Sequence, residues 1–179
     1  AILGGGQLGK MLLYETRKWD IYTKVLDPSP EAPCRISCNE FVIGDLNDYQ
    51  TVMDFASDAD VITIEIEHVN VQALRDLKKA GKAVHPDPDM LSIIKNKARQ
   101  KELYLKNELP TAPFQVFPNV AEARKSVENE GFKLPCVWKS AEGGYDGKGV
   151  KMIRSITDLD FETNAECLLE EKVDFAHEI

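Results

Sequence analysis

The sequence predicts an α/β protein: a parallel sheet flanked by helices, followed by a smaller α+β unit. Three observations carry this. Gly4-x-Gly6-x-x-Gly9 stands between a short apolar run and an amphipathic segment, as a strand-to-helix turn would. Val61-Ile-Thr-Ile-Glu-Ile66 has the β-branched density of a central parallel strand. Strand and helix patterns alternate up to Leu109, and their order changes after Pro110-Thr-Ala-Pro113. The expected division is therefore residues 1–109 and residues 110–179.

Ile2-Leu3 reads as a strand remnant, and Met11, Leu12 and Tyr14 as the apolar face of a helix through Trp19. Tyr22-Thr-Lys-Val-Leu26 is the second strand and ends on Asp27. A glycine turn with an acidic residue about 20 positions on is the dinucleotide fingerprint. The motif by itself leaves three readings open. The turn takes NAD, takes another phosphate at the helix N-terminus, or serves close strand–helix packing. Pro28 to Pro33 is a rigid loop, Phe41-Val-Ile43 a short strand and Asp48 to Ala56 a short helix. In the strand from Val61, alternation puts Glu65 and Glu67 on one side of the carboxyl end, where open α/β sheets bind ligands. Glu67 is expected to meet a ligand, and His68 to support it or lie at the surface. Asn70 to Ala80 is an amphipathic helix stopped by Gly81, and Ala83-Val84 begins another strand. Met90 to Leu109 carries apolar residues at helical spacing, with Lys95, Lys97, Arg99 and Lys101 as a solvated basic face.

The second unit reads as strand Phe114 to Phe117, helix Val120 to Glu130, and strand Cys136 to Lys139. A glycine-rich stretch, strand Val150 to Arg154 and strand Cys167 to Val173 complete it. Between the paired strands lies Lys139-Ser-Ala-Glu-Gly-Gly-Tyr-Asp-Gly-Lys-Gly149. Glycine-rich backbone preceded by a strand lysine suits a loop over polyphosphate; a solvent-exposed hairpin is the alternative. It is no Walker loop, because Lys148 is followed by Gly149 rather than by Ser or Thr. Nor is it a kinase glycine loop, whose strand lysine comes after the loop.

Composition bounds the partners. The net charge of −8, from 22 basic and 30 acidic residues, argues against nucleic acid and anionic membranes. No apolar run approaches the roughly 18 residues of a membrane span. Cys34, Cys38, Cys136 and Cys167 lack zinc spacing and read as reduced structural thiols of a cytoplasmic protein. The first residues run straight into a turn and the last stop without a cap, so the chain reads as part of a longer protein.

Several segments together resemble a known family. They are Gly5-Gly-Gln-Leu-Gly-Lys-Met11, Thr63-Ile-Glu-Ile-Glu-His68, Leu109-Pro-Thr-Ala-Pro113, Gly143-Gly-Tyr-Asp-Gly-Lys-Gly149 and Leu169-Glu-Glu171. In order and across essentially the whole chain, they are similar to the PurK-type 5-(carboxyamino)imidazole ribonucleotide synthases of the ATP-grasp superfamily. The resemblance implies a Rossmann-like pre-ATP-grasp domain that binds substrate, followed by the α+β small subdomain of an incomplete ATP-grasp domain. It implies an ATP- and magnesium-dependent ligase that carboxylates aminoimidazole ribonucleotide with bicarbonate, and a homodimer.

By the same resemblance, Lys97, Lys139, the loop Gly143, Gly144, Tyr145, Asp146, Gly147, Lys148 and Gly149, and Glu170, Glu171, Lys172, Val173 and Glu178 bind ATP. Tyr145, Asp146 and Lys148 are the catalytic candidates, and Gly6, Gln7, Leu8 and Glu67 contact the imidazole nucleotide. Lys97 and Lys148 stand where relatives often carry arginine, which keeps charge and loses bidentate geometry. The metal ligands are expected beyond Ile179, so the fragment alone is expected to be inactive. Asp27 would lose its ribose role and become a loop or cap residue. Two other classes stay open on the sequence: another ATP-grasp carboxylate–amine ligase, and a Rossmann NAD-binding dehydrogenase.

Overall fold

In the computed structural model the described residues are 1–143 and 149–177. The chain folds as two compact units, Ala1–Ser92 and Ile93–Ile179.

The first unit is a five-stranded parallel sheet in the order β3-β2-β1-β4-β5. Its strands are β1 (Ile2–Leu3), β2 (Lys24–Asp27), β3 (Glu40–Ile43), β4 (Val61–Ile64) and β5 (Ala83–His85). Period-two alternation builds both faces at once. Ile2 pairs with Val25 and Leu3 with Leu26. Leu3 and Leu26 join Ile62 and Val84 in a core closed by Val52 and Phe55 of α2 (Tyr49–Ala56) and by Leu74 and Leu77 of α3 (Val71–Lys79). Ile2 and Val25 face the other way and bury against Leu13 of α1 (Gln7–Thr16) and against Cys34. Asp48 and Asn70 start α2 and α3 by accepting hydrogen bonds from Thr51 N and Ala73 N.

Three expectations are corrected here. Met11, Leu12 and Tyr14 are exposed, and the packed face of α1 is Gly9 and Leu13. A Cβ on Gly9 would stand 3.0 Å from Cys34 Sγ, so a bulkier residue there would push the helix off its neighbours. β4 ends at Ile64, which leaves Glu65 and Glu67 on the bend beyond it rather than on the pleat. The segment after Met90 is two helices, α4 (Pro88–Ile94) and α5 (Lys97–Lys106). The break comes at Asn96, whose extended backbone lets its side chain cap α5 at Arg99 N.

The second unit is a four-stranded antiparallel sheet ordered β6-β9-β7-β8. Its strands are β6 (Phe114–Phe117), β7 (Cys136–Ser140), β8 (Val150–Ile153) and β9 (Cys167–Glu171). Cys136, Trp138, Ile153, Cys167 and Leu169 point to one face and bury against Val120 and Ala123 of α6 (Val120–Glu128). Trp138 meets Phe161 edge-to-face at 5.0 Å. Alternation therefore turns Lys139 and Glu170 to the opposite face. α5 belongs with this unit: the Lys97 amide donates to Ala141 O at 2.8 Å, and Lys101 pairs with Glu170. The boundary expected at Leu109–Pro110 falls in the link between α5 and β6, inside the second unit; the division comes earlier, between Ser92 and Ile93. Among the described residues no helix is long and apolar enough to cross a membrane.

Candidate functional site

Glu170 anchors the chemistry of the second unit. β9 carries it diagonally across from Lys139 on β7, since Val137 pairs with Glu170 and Lys139 with Leu168. Only 7% of Glu170 is exposed, a costly place for a carboxylate unless cations meet it. Two do. Lys101 of α5 donates to Oε1 and also to Thr111 Oγ1, with its ammonium over the Phe114 ring at 5.6 Å. Lys139 meets Oε2 as an ion pair, out of hydrogen-bond alignment. Burial pushes the Glu170 carboxyl up, but the Lys101 hydrogen bond and the charges of both lysines outweigh it, and its pKa lies below the usual glutamate value. Two cations share one anion, so this three-residue cluster keeps a surplus positive charge.

The ends of that stretch are fixed. Ser140 N donates to Gly149 O at 2.8 Å, and Ala141 N to Glu166 O at 2.9 Å. Asn96 is buried and uses both halves of its amide. Its oxygen caps α5, and its nitrogen donates to Glu142 Oε1 at 3.0 Å and Glu166 Oε2 at 3.3 Å. Gly143 and Gly149 have φ of 75° and 71°, conformations that suit glycine. Of the ATP candidates, Lys97, Lys139, Gly143, Gly149 and Glu170 to Val173 are described. Gly144, Tyr145, Asp146, Gly147, Lys148 and Glu178 lie outside the described residues. Glu171 is exposed and its amide donates to Pro113 O at 2.8 Å. Lys172 pairs with Asp174, and Val173 is exposed; β9 ends at Glu171, short of the expected Val173. Lys101, expected on a solvated basic face, is instead buried against Glu170, and Asn96 carries no signal in the sequence. Lys101 lies one helical turn from Lys97, and that i, i+4 spacing was the available signal.

The glycine turn of the first unit is already hydrogen-bonded from within. Gly5 N donates to Asp27 Oδ2 at 2.7 Å, and Ser29 N to Asp27 Oδ1 at 2.8 Å. Cys34 N donates to Gly5 O at 2.9 Å. Glu65 lies over the turn, where a Cβ on Gly6 would come within 2.5 Å of its Oε1. The acid of the fingerprint thus takes an amide of the turn itself, and Glu65 sets a second carboxylate against Gly6. Gly6 caps α1 without a side chain, and Gln7 and Leu8 are exposed at the helix start. Glu67 is half-buried, with its carbonyl accepting from Val69 N at 2.9 Å.

The four cysteines are free. Burial pushes the Cys34 and Cys136 thiols up to about 11, so both are protonated at neutral pH and poor nucleophiles. Among the described residues no group of three His, Cys, Asp or Glu side chains could hold a metal ion.

Residues 1–95 match the ribonucleotide synthetase preATP-grasp domain, and residues 102–179 the ATP-grasp domain. An N5-carboxyaminoimidazole ribonucleotide synthase of Staphylococcus epidermidis is 29% identical over 99% of this chain and 48% of its own. The crystal structure of N5-carboxyaminoimidazole ribonucleotide synthetase from Thermotoga maritima is 34% identical, with a TM-score of 0.85 over 98% of this chain and 46% of that one. An Aspergillus clavatus N5-carboxyaminoimidazole synthase, solved with ADP and 5-aminoimidazole ribonucleotide, is 27% identical at a TM-score of 0.84, over 98% and 46%. The chain therefore spans about half the length of the curated bacterial relatives it matches. Through its first 95 residues it belongs to the ribonucleotide synthetase preATP-grasp family, and an ATP-grasp domain match follows.

Proposed function

We propose that this chain is the N-terminal part of an ATP-dependent ligase that carboxylates 5-aminoimidazole ribonucleotide, in the manner of the N5-carboxyaminoimidazole ribonucleotide synthases it resembles. The observation that carries the reading is Lys139, held on β7 at the foot of the glycine stretch and sharing Glu170 with a second lysine. A bicarbonate oxygen attacks the γ-phosphorus of ATP, forming an O–P bond as the bond to ADP breaks. The exocyclic amine of the nucleotide then forms the N–C bond, loses a proton and releases phosphate.

In this reading Lys139 donates to phosphate oxygens and Lys97 adds a second charge. The amides of Gly143 to Gly149 close over the outer phosphates, with Tyr145, Asp146 and Lys148 nearest the reacting groups. The segment from Glu170 to Val173 takes the adenine side, and Glu178 the ribose. Gly6, Gln7, Leu8 and Glu67 hold the imidazole nucleotide. Magnesium, when bound, would neutralise charge on the transferring phosphoryl group; its ligands are proposed outside these residues. A cytoplasmic homodimer completes the proposal. Asp27 bound to Gly5 N speaks against the NAD alternative.

The test is ADP release by the full-length protein given ATP, magnesium, bicarbonate and aminoimidazole ribonucleotide. ADP release that depends on the imidazole nucleotide is expected. Thermal stabilisation by NAD with none by ATP–magnesium would overturn the reading.

A further inference from the structure

The asymmetry between the two lysines on Glu170 has a functional meaning. Lys101 is fully committed, with Glu170 Oε1, Thr111 Oγ1 and the Phe114 ring around it. Only 11% of its side chain is exposed, so its charge is spent inside the unit. Lys139 is 28% exposed and meets Oε2 without an aligned hydrogen bond. Were Lys101 absent, Glu170 would face Lys139 alone. The pair would tighten in the low-dielectric interior, and Lys139 would have to leave a full counter-charge to reach a phosphate.

We propose that Lys101 is a positioning residue for nucleotide polyphosphate: by neutralising Glu170 it keeps the Lys139 ammonium available to phosphate oxygens. Lys101 itself does not touch the ligand. Glu170 is the counterweight, a carboxylate that aims Lys139 along the sheet face while Lys101 stops it from capturing that lysine. The inference rests on the nucleotide reading above and adds to it a residue that resemblance did not select.

The charge balance of the cluster predicts an order of ADP affinity. With both lysines and Glu170, the surplus is one positive charge; Lys101→Met removes it, and Glu170→Gln in the same chain restores it. Affinities of the full-length protein for ADP and for adenosine are to be measured by calorimetric titration. Lys101→Met is expected to weaken ADP about tenfold, the scale of one charged hydrogen bond, and to leave adenosine within about twofold. Lys101→Arg keeps the charge and is expected to stay within about threefold of the parent for ADP. The double variant Lys101→Met/Glu170→Gln is expected to recover most of the lost preference for ADP over adenosine, a ratio from which any adenine-side loss at Glu170 cancels.

A merely structural Lys101 would not give this pattern. Equal losses for ADP and adenosine in Lys101→Met, or a double variant whose ADP-to-adenosine affinity ratio is no better than that of Lys101→Met, would overturn the inference while leaving the nucleotide reading intact. If Lys101→Met does not fold, Lys101→Gln and the Arg variant carry the comparison, and a normal ADP affinity in Lys101→Gln is equally fatal. A parent protein that binds neither ADP nor ATP overturns the nucleotide reading and the inference with it.

Discussion

Replacing Glu170 by alanine should expose how much the second unit depends on one carboxylate. Glu170 is 7% exposed, and the side chains of Lys101 and Lys139 are 11% and 28% exposed. Removing the anion leaves two cations on one sheet face. Breaking a buried pair from one side costs about 3–5 kcal/mol, and Lys139 can relieve part of its share by turning to water, so about 3 kcal/mol is expected. The two tryptophans, Trp19 and Trp138, fall one in each unit, and Trp138 is buried in the core of the second. Urea unfolding of a Trp19→Phe background, followed by Trp138 fluorescence, would isolate the effect. The difference should also depend on pH. The Glu170 pKa is depressed in the fold, so its contribution is present above the unfolded glutamate value of about 4.3 and is lost as pH falls through the folded value. A Glu170→Ala loss below about 0.5 kcal/mol at neutral pH, the level of an ordinary surface change, would refute the reasoning.

Two further predictions concern the first unit. Asp27→Ala should cost about 2 kcal/mol in urea unfolding followed by circular dichroism, because a carboxylate bridging the Gly5 and Ser29 amides is lost; Asp27→Asn should cost less. Gly4 and Gly81 have similar φ of 99° and 91°, but a Cβ on Gly4 would stand 2.9 Å from Ile66 Cγ2, whereas Gly81 has nothing within 4 Å. Gly81→Ala should therefore show backbone strain alone, about 1 kcal/mol, and Gly4→Ala about 2–4 kcal/mol in the same assay; equal losses would discount the packing argument.

Much of the fold was legible because period-two and helical apolar patterns are local properties. The alternation in Ile2-Leu3 and Val25-Leu26 alone assigns each residue to one of two cores. The exposed face of α1 was not legible, since apolar residues at Met11, Leu12 and Tyr14 look the same whether covered or not. The helix break at Asn96 was hidden for a related reason: apolar spacing continues across it, and only the capping geometry shows the interruption. Asp27 was visible as an acid at fingerprint spacing, yet spacing cannot tell a carboxylate facing a ribose from one turned onto Gly5 N. Lys101 read as solvated because helix periodicity says nothing about a buried carboxylate 69 residues away. Lys139 was the opposite case: a strand lysine leading into glycines needs no tertiary partner to be noticed.

The bonds at the two ends of the glycine stretch have an entropic consequence. Ser140 N to Gly149 O, Ala141 N to Glu166 O and Lys97 N to Ala141 O fix where the excursion leaves and rejoins the sheet. The loss of freedom on bringing loop ends together is a cost of folding, met by the sheet and by the Asn96 cap. A ligand arriving at this face meets those ends already placed. Loosening those ends, as by removing the Asn96 amide, would shift that cost from folding to binding and weaken affinity without altering any group that touches the ligand.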